Sequence, residues 1–416
     1  MAQTRATLGL ILLTAAVACD SAGDPIPSST FAAQDERADD VSGILRRGED
    51  GVSGAVVFVA PSPAAAPSTF TASVSTDAIG FYKARGPIGW LYDLSFVMPG
   101  GADGRTDVFV FRDVAYRYFE PQLDVTGRTL PRSWMGHVQV QLDKPIGEGH
   151  TLLFLASGDG AYGVTGDLET GLDIHTARYD QSANLRAVEY DPAKGLISAS
   201  AYGKADVFVS AGRPTSVSMH LDPIVDSAAP AFTIDLPPGF VPGAVEIRIG
   251  SSRTSDALMT SIPWGQTATL PIVPDQGYTY RLRATRADGA ISDSGEQNFD
   301  LRKVTPIALP APPDPITPAD GATLEKGQIV SAYGSGLLEH FFEPTTPGAP
   351  AVRMVGTSVD TTFPDLTALA VAKGTGEYVW TVRRFSTMTS VENLWGADAR
   401  RYRPSAISAP RKLTLR

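Results

Sequence analysis

From Val41 to the C-terminus, Gly, Pro and Asp cut the chain into short runs of β-branched and aromatic residues, and this spacing limits the fold more than any other feature. Runs of about 4 to 8 such residues between turn formers read as strands. No apolar pattern of helical period continues long enough downstream to specify a helix of ordinary length. With 43% hydrophobic residues the chain can fill packed cores, and 416 residues correspond to about two to four domains of roughly 100 to 200 residues each. The expectation is an all-β protein made of tandem β-sandwich modules.

The N-terminus has a different texture. Leu8 to Ala18 is apolar, follows Arg5, and ends at Cys19, the single cysteine of the sequence. This run falls short of the roughly 20 residues that span a bilayer. Ala16-Val17-Ala18-Cys19 resembles the lipobox of bacterial lipoproteins. The resemblance implies a signal peptide over 1–18, cleavage before Cys19 and a diacylglyceryl thiol, which supplies the two chains that stable anchoring needs. An uncleaved secretory peptide or a buried N-terminal helix are the alternatives. Residues 19–40 then form a lipidated cysteine and a Pro-, Ser-, Ala- and acid-rich tether, with an r.m.s. reach of about 25 Å as a flexible coil. One cysteine allows no intramolecular disulfide, so an exported chain of this kind is held by its cores alone. A formal charge of -10 argues against nucleic acid as a partner.

The first module spans 41–125. In Gly51-Val52-Ser53-Gly54-Ala55-Val56-Val57-Phe58-Val59 a glycine-released turn leads into an alternating strand. Asp77 and Gly80 suit a hairpin turn, the carboxylate capping backbone N–H groups and the glycine taking positive φ. Tyr92, Leu94 and Phe96 stand at period two and are expected to line a core face. Together with Val41-Ser42-Gly43-Ile44-Leu45, these segments resemble the carboxypeptidase regulatory-like family, which implies a transthyretin-like β-sandwich.

Residues 126–224 read as a second β-rich domain with no recognisable pattern, and 225–305 as a third sandwich beyond the break Asp226-Ser227-Ala228-Ala229-Pro230. Six prolines in 306–318 favour an extended, semi-rigid linker. In 319–416, Phe363-Pro364-Asp365-Leu366 followed by Tyr378-Val379-Trp380-Thr381-Val382 is similar to a fibronectin type III-like module. Tyr278 to Leu282 extends that resemblance to the third region. The tryptophan which that family carries on an early strand is absent, and Tyr333 is nearest to its place.

The regulatory-like domain accompanies zinc carboxypeptidases, so a catalytic set has to be sought. His340 and Glu343 fit H-x-x-E, a spacing that lets an imidazole and a carboxylate meet one zinc. No histidine follows His340, and His137, His150, His175 and His220 all lie upstream. A strand-end histidine beside a solvated glutamate is the plainer reading, and a metal-dependent hydrolase the remote one. Asp159, Asp167, Glu169 and Asp173 sit in or beside glycine-rich loops and are candidates for calcium, although their spacing is not that of an EF-hand and such residues are ordinary in turns. Arg383, Arg384, Arg400, Arg401, Arg403, Arg411, Lys412 and Arg416, interleaved with Trp395 and Tyr402, make the C-terminal segment basic. Of these, Arg400, Arg401, Arg403, Trp395 and Tyr402 are the candidates for anion or envelope contact; charged edge strands that deter aggregation are the alternative. Trp90, Trp134, Trp264, Trp380 and Trp395 are sugar-stacking candidates, against the commoner role of core aromatics. Neither G-x-S-x-G nor a P-loop is present.

The sequence therefore leads to a non-catalytic, lipid-anchored envelope protein without cofactors, attached to a cell membrane or outer membrane and displaying modules that bind protein or glycan. A carbohydrate-binding lipoprotein for polysaccharide capture is the runner-up.

Overall fold

The computed structural model describes residues 40–416 except 48–49, 63–71, 86–90, 99–105, 122, 124–133, 157–159, 165–168, 177–179, 211, 253–254, 372–373, 386–387 and 395–403. Its described elements are strands apart from two short 3-10 turns, at Leu196–Ser198 and Val391–Leu394. The all-β expectation holds, and the strands pack as sandwiches about several cores.

One 15-stranded sheet forms the spine. Its main path runs through Ser255–Pro263, Phe240–Ser252, Gly277–Arg286 and Ile291–Asp293, then Ala406–Ile407, Gly376–Phe385, Leu337–Pro344 and Ala351–Gly356, and ends with Asp107–Val114, Tyr92–Val97, Val56–Pro61 and Ala72–Ser75. The first and last modules thus share a sheet, joined where Ala351–Gly356 pairs in parallel with Asp107–Val114, Arg353 opposite Phe109. Both faces are covered along this seam. Phe109 and Phe111 enter the core of the first module, while Val108 and Val110 enter that of the last. Double burial explains why 108–111 is an unbroken apolar run and why 337–342 shows no alternation of exposed polar and buried apolar residues.

The first module forms as its residues dictate. Tyr92, Leu94 and Phe96 are fully buried on one face, and Phe96, Phe111 and Phe119 stack edge to face at centroid distances of 5.9 and 5.3 Å. Each such phenylalanine stabilises the core by about 2 to 3 kcal/mol through burial alone. At the hairpin, Asp77 Oδ1 accepts from the N–H groups of Ile79 and Phe81, each at 2.9 Å, and Gly80 takes φ 80°.

In the second region a five-stranded sheet (Gly160–Val164, Thr151–Ala156, Asp180–Tyr190, Ala201–Ser210, Asp222–Pro223) faces a three-stranded one (Glu169–Thr176, Trp134–Leu142, Thr215–Met219). Phe154, Leu185 and Val209 fill the space between them. The opposite face of the five-stranded sheet sends Leu153, Leu155, Val188 and Tyr202 into the core of the third region, beside Ile247, Tyr280 and Leu282. Lys204 Nζ also bonds Asp275 Oδ2 at 2.7 Å across this junction.

The proline-rich run 306–318 is tied down at both ends. Val304–Ala308 pairs in parallel with Ala231–Asp235, and Asp314–Thr317 pairs with Ile329–Tyr333. Both segments are edge strands, where the missing N–H of proline costs the ladder little. Asp314–Thr317, Ile329–Tyr333 and Asp360–Thr362 make a separate three-stranded sheet that covers the core of the last module.

Candidate functional site

His340 and Glu343 do not form a site. Their odd separation on Leu337–Pro344 sends them to opposite faces. His340 is buried and lies flat against Trp380, ring centroids 5.9 Å apart at 11°, whereas Glu343 is exposed. Neither ring nitrogen of His340 has a partner, and burial lowers its pKa from 6.5 to about 4. The imidazole is a neutral core side chain, and the zinc reading of this pair is corrected by the register of its strand.

The same strand places a charged cluster on its other face. Glu339, buried, takes Arg383 Nη1 on Oε2 at 3.2 Å and Arg353 Nη1 on Oε1 at 3.8 Å. Both guanidiniums lie over the Phe341 ring, at 4.3 Å for Arg383 and 4.8 Å for Arg353, and Arg353 also covers Phe109. Arg353 therefore bridges the seam between the first and last modules. This arrangement closes a core edge with cation–π stacking and a shared carboxylate.

Other arginines of the basic C-terminal segment are similarly engaged. Arg384 donates to the Ser335 carbonyl at 2.8 Å, to its hydroxyl at 2.6 Å, and to the Ala311 carbonyl at 3.3 Å. Arg411 gathers the carbonyls of Pro315, Ile316 and Pro318 and stacks over Trp380. These described arginines act as clamps.

Cys19, Asp159, Asp167, Trp395, Arg400, Arg401, Tyr402 and Arg403 lie outside the described residues. Glu169 and Asp173 fall four positions apart on Glu169–Thr176, about 13 Å along an extended strand. Among the described residues no three His, Cys, Asp or Glu side chains gather as a cation site. Trp380 is fully buried and Trp264 is half-buried against the core of the third region. Trp90 lies outside the described residues, and Trp134 is placed by its backbone on Trp134–Leu142.

Tyr333 departs from expectation. It does not stand in for a core tryptophan, because Val330 and Ala332 point into the last module and Tyr333 is 73% exposed on the outer face. Alternation along Ile329-Val330-Ser331-Ala332-Tyr333 marks two faces, but with the smaller residues inside. Size alone would have chosen the wrong one.

No protein-family model and no curated protein matches the chain. Among solved structures it is similar to a tetra-tandem repeat in the extending region of a large adhesion protein, at 9% identity over 91% of this chain and 99% of that one, TM-score 0.16. The Bacillus anthracis TIE protein gives 10% identity over 83% and 68%, TM-score 0.16. A Bacteroides ovatus mixed-linkage glucan utilization locus protein, SGBP-B, solved with a mixed-linkage heptasaccharide, gives 11% identity over 67% and 65%, TM-score 0.13. Similarities of this size assign neither family nor ligand.

Proposed function

We propose that the chain is an exported, non-catalytic envelope protein, anchored through a lipid on Cys19, that displays a β-sandwich array to bind protein or glycan. The observation that carries this reading is the fusion of its modules. The first and last share one sheet, and the second and third share one core, so their outer faces are held in fixed relation, as a display scaffold requires. The signal-like run ending at Cys19 supplies the anchor, and the charge of -10 leaves nucleic acid out of the partner set. Glycan capture is the favoured form of binding, because an exposed aromatic, Tyr333, stands on a sheet face beside carboxylates.

The test is fractionation of intact, crosslinked cells carrying the native protein or Cys19→Ala. The native protein is expected in membranes with a defined set of crosslinked envelope partners or retained glycan, both lost in the variant. Native protein recovered in the soluble fraction would overturn the anchor, and membrane protein free of any partner or glycan would overturn display.

A further inference from the structure

The large hydrophobic side chains exposed among the described residues number thirteen, and three of them, Ile316, Ile329 and Tyr333, fall in the small sheet that roofs the last module. Single exposed apolar residues are ordinary, but a cluster on one face marks a binding surface. The register brings polar groups to the same face. Asp314 is the cross-strand neighbour of Tyr333, and Asp360 that of Ser331. Ser331 Oγ donates to Asp360 Oδ1 at 2.5 Å, which fixes that carboxylate and leaves its second oxygen to accept from elsewhere. Ile329 and Ile316 flank this row at 56% and 54% exposure.

The platform is also tied to the body of the last module. Ile316 is the extra residue of a bulge between Pro315 and Thr317, and Arg411 holds the carbonyls on either side of it. A pre-organised surface binds at lower entropic cost than one that must be ordered.

We infer that the outer face of this sheet, centred on Tyr333 with Asp314 and Asp360, is a binding site for a neutral glycan. The inference rests on the display reading above and names its ligand class and place. A flat ring beside aliphatic groups suits the C–H face of a sugar, and carboxylates beside it accept from hydroxyls. Charge excludes an acidic polysaccharide. Both groups in the patch that carry charge at neutral pH are carboxylates, and the nearby guanidiniums are occupied: Arg411 on carbonyls, Arg384 on Ser335 and the Ala311 carbonyl, Arg112 on Asp93 and the Thr362 carbonyl, Arg286 on Asp288. Size argues against a protein partner. Three strands of four, five and three residues, spaced by about 4.8 Å, present at most roughly 10 by 16 Å, far below the approximately 800 Å² per partner of a stable protein interface.

The experiment is affinity electrophoresis of the full-length protein, purified in detergent, through gels containing soluble starch, hydroxyethyl cellulose, mannan or arabinoxylan. Polygalacturonate and decalysine serve as charged probes. Retardation by at least one neutral polysaccharide is expected, with a tenfold or greater loss of affinity in Tyr333→Ala and recovery in Tyr333→Trp. The melting temperature should stay unchanged because Tyr333 contributes little buried surface. No retardation in any neutral gel, or retardation confined to a charged probe, overturns the site. If neutral binding persists in Tyr333→Ala, glycan display stands but its site lies elsewhere. Capture of envelope proteins in cells without glycan retardation would leave display standing and this site refuted.

Discussion

His340 should make the last module acid-sensitive well above the range in which carboxylates titrate. The imidazole is fully buried between Trp380 and its cross-strand neighbours Val382 and Met354, and desolvation is the cause that lowers its pKa to about 4 against an ordinary 6.5. Glu339, Arg353 and Arg383 lie on the opposite face of the sheet and cannot rescue the charge. Above pH 6.5 the ring is neutral in both folded and unfolded chains and adds no pH dependence. Below it, the unfolded chain binds a proton that the folded chain refuses, so stability falls until the folded form also protonates near pH 4. At about 1.4 kcal/mol per pKa unit, the loss is about 2 kcal/mol at pH 5 and about 3 kcal/mol below pH 4. His340→Phe keeps a flat ring against Trp380 and cannot ionise. Urea unfolding at pH 7 and pH 5, followed by tryptophan emission and by hydrogen exchange of Gly376–Phe385, should show the native protein losing about 2 kcal/mol more than the variant. Equal losses in the two proteins would refute the claim that this ring is sealed and unpaired.

Two further outcomes follow from the packing. A Cβ on Gly43 would lie 1.8 Å from the Phe119 carbonyl oxygen, so Gly43→Ala must force Asp40–Ile44 away from its neighbour. A loss of about 3 kcal/mol or more is expected, read as a fall in melting temperature and as exposure of the first-module core to exchange. Glu339→Gln removes the shared anion from Arg353 and Arg383 and should cost about 2 kcal/mol, below the 3 to 5 of a fully buried pair because both guanidiniums reach solvent. A double-mutant cycle with Arg353→Met measures the coupling, and additive losses would show that the carboxylate and that arginine do not act together.

What was legible in the sequence was local. Asp77 and Gly80 announce their hairpin because a carboxylate cap and a positive φ are properties of four consecutive residues. Tyr92, Leu94 and Phe96 announce a core face because the face opposite them on that strand includes Asp93 and Ser95. Leu337-Leu338-Glu339-His340-Phe341-Phe342 announced nothing comparable, since a strand buried on both sides loses its alternation. Its parallel neighbourhood with the first module, through Ala351–Gly356 and Asp107–Val114, has no local sign at all. Arg383 and Arg411 looked like solvated charge because no sequence pattern shows that a distant Phe341 or a bulge at Ile316 needs them.

Glu339 and His340 bring the two kinds of failure together. They are adjacent polar residues in one apolar run, and the pleat separates their fates: Glu339 faces a side where two arginines arrive from neighbouring strands, while His340 faces Trp380 and Phe342 with nothing to bond. The first polar burial is compensated through the sheet's register and the second is not. A leucine or phenylalanine at 340 would satisfy the core without the unpaired nitrogens, so the histidine is the one residue of this strand whose local chemistry opposes the packing around it. The acid titration is accordingly the most direct probe of the strand: it reads the register, because a slip by one residue would exchange the environments of Glu339 and His340 and remove the predicted difference between the native protein and His340→Phe.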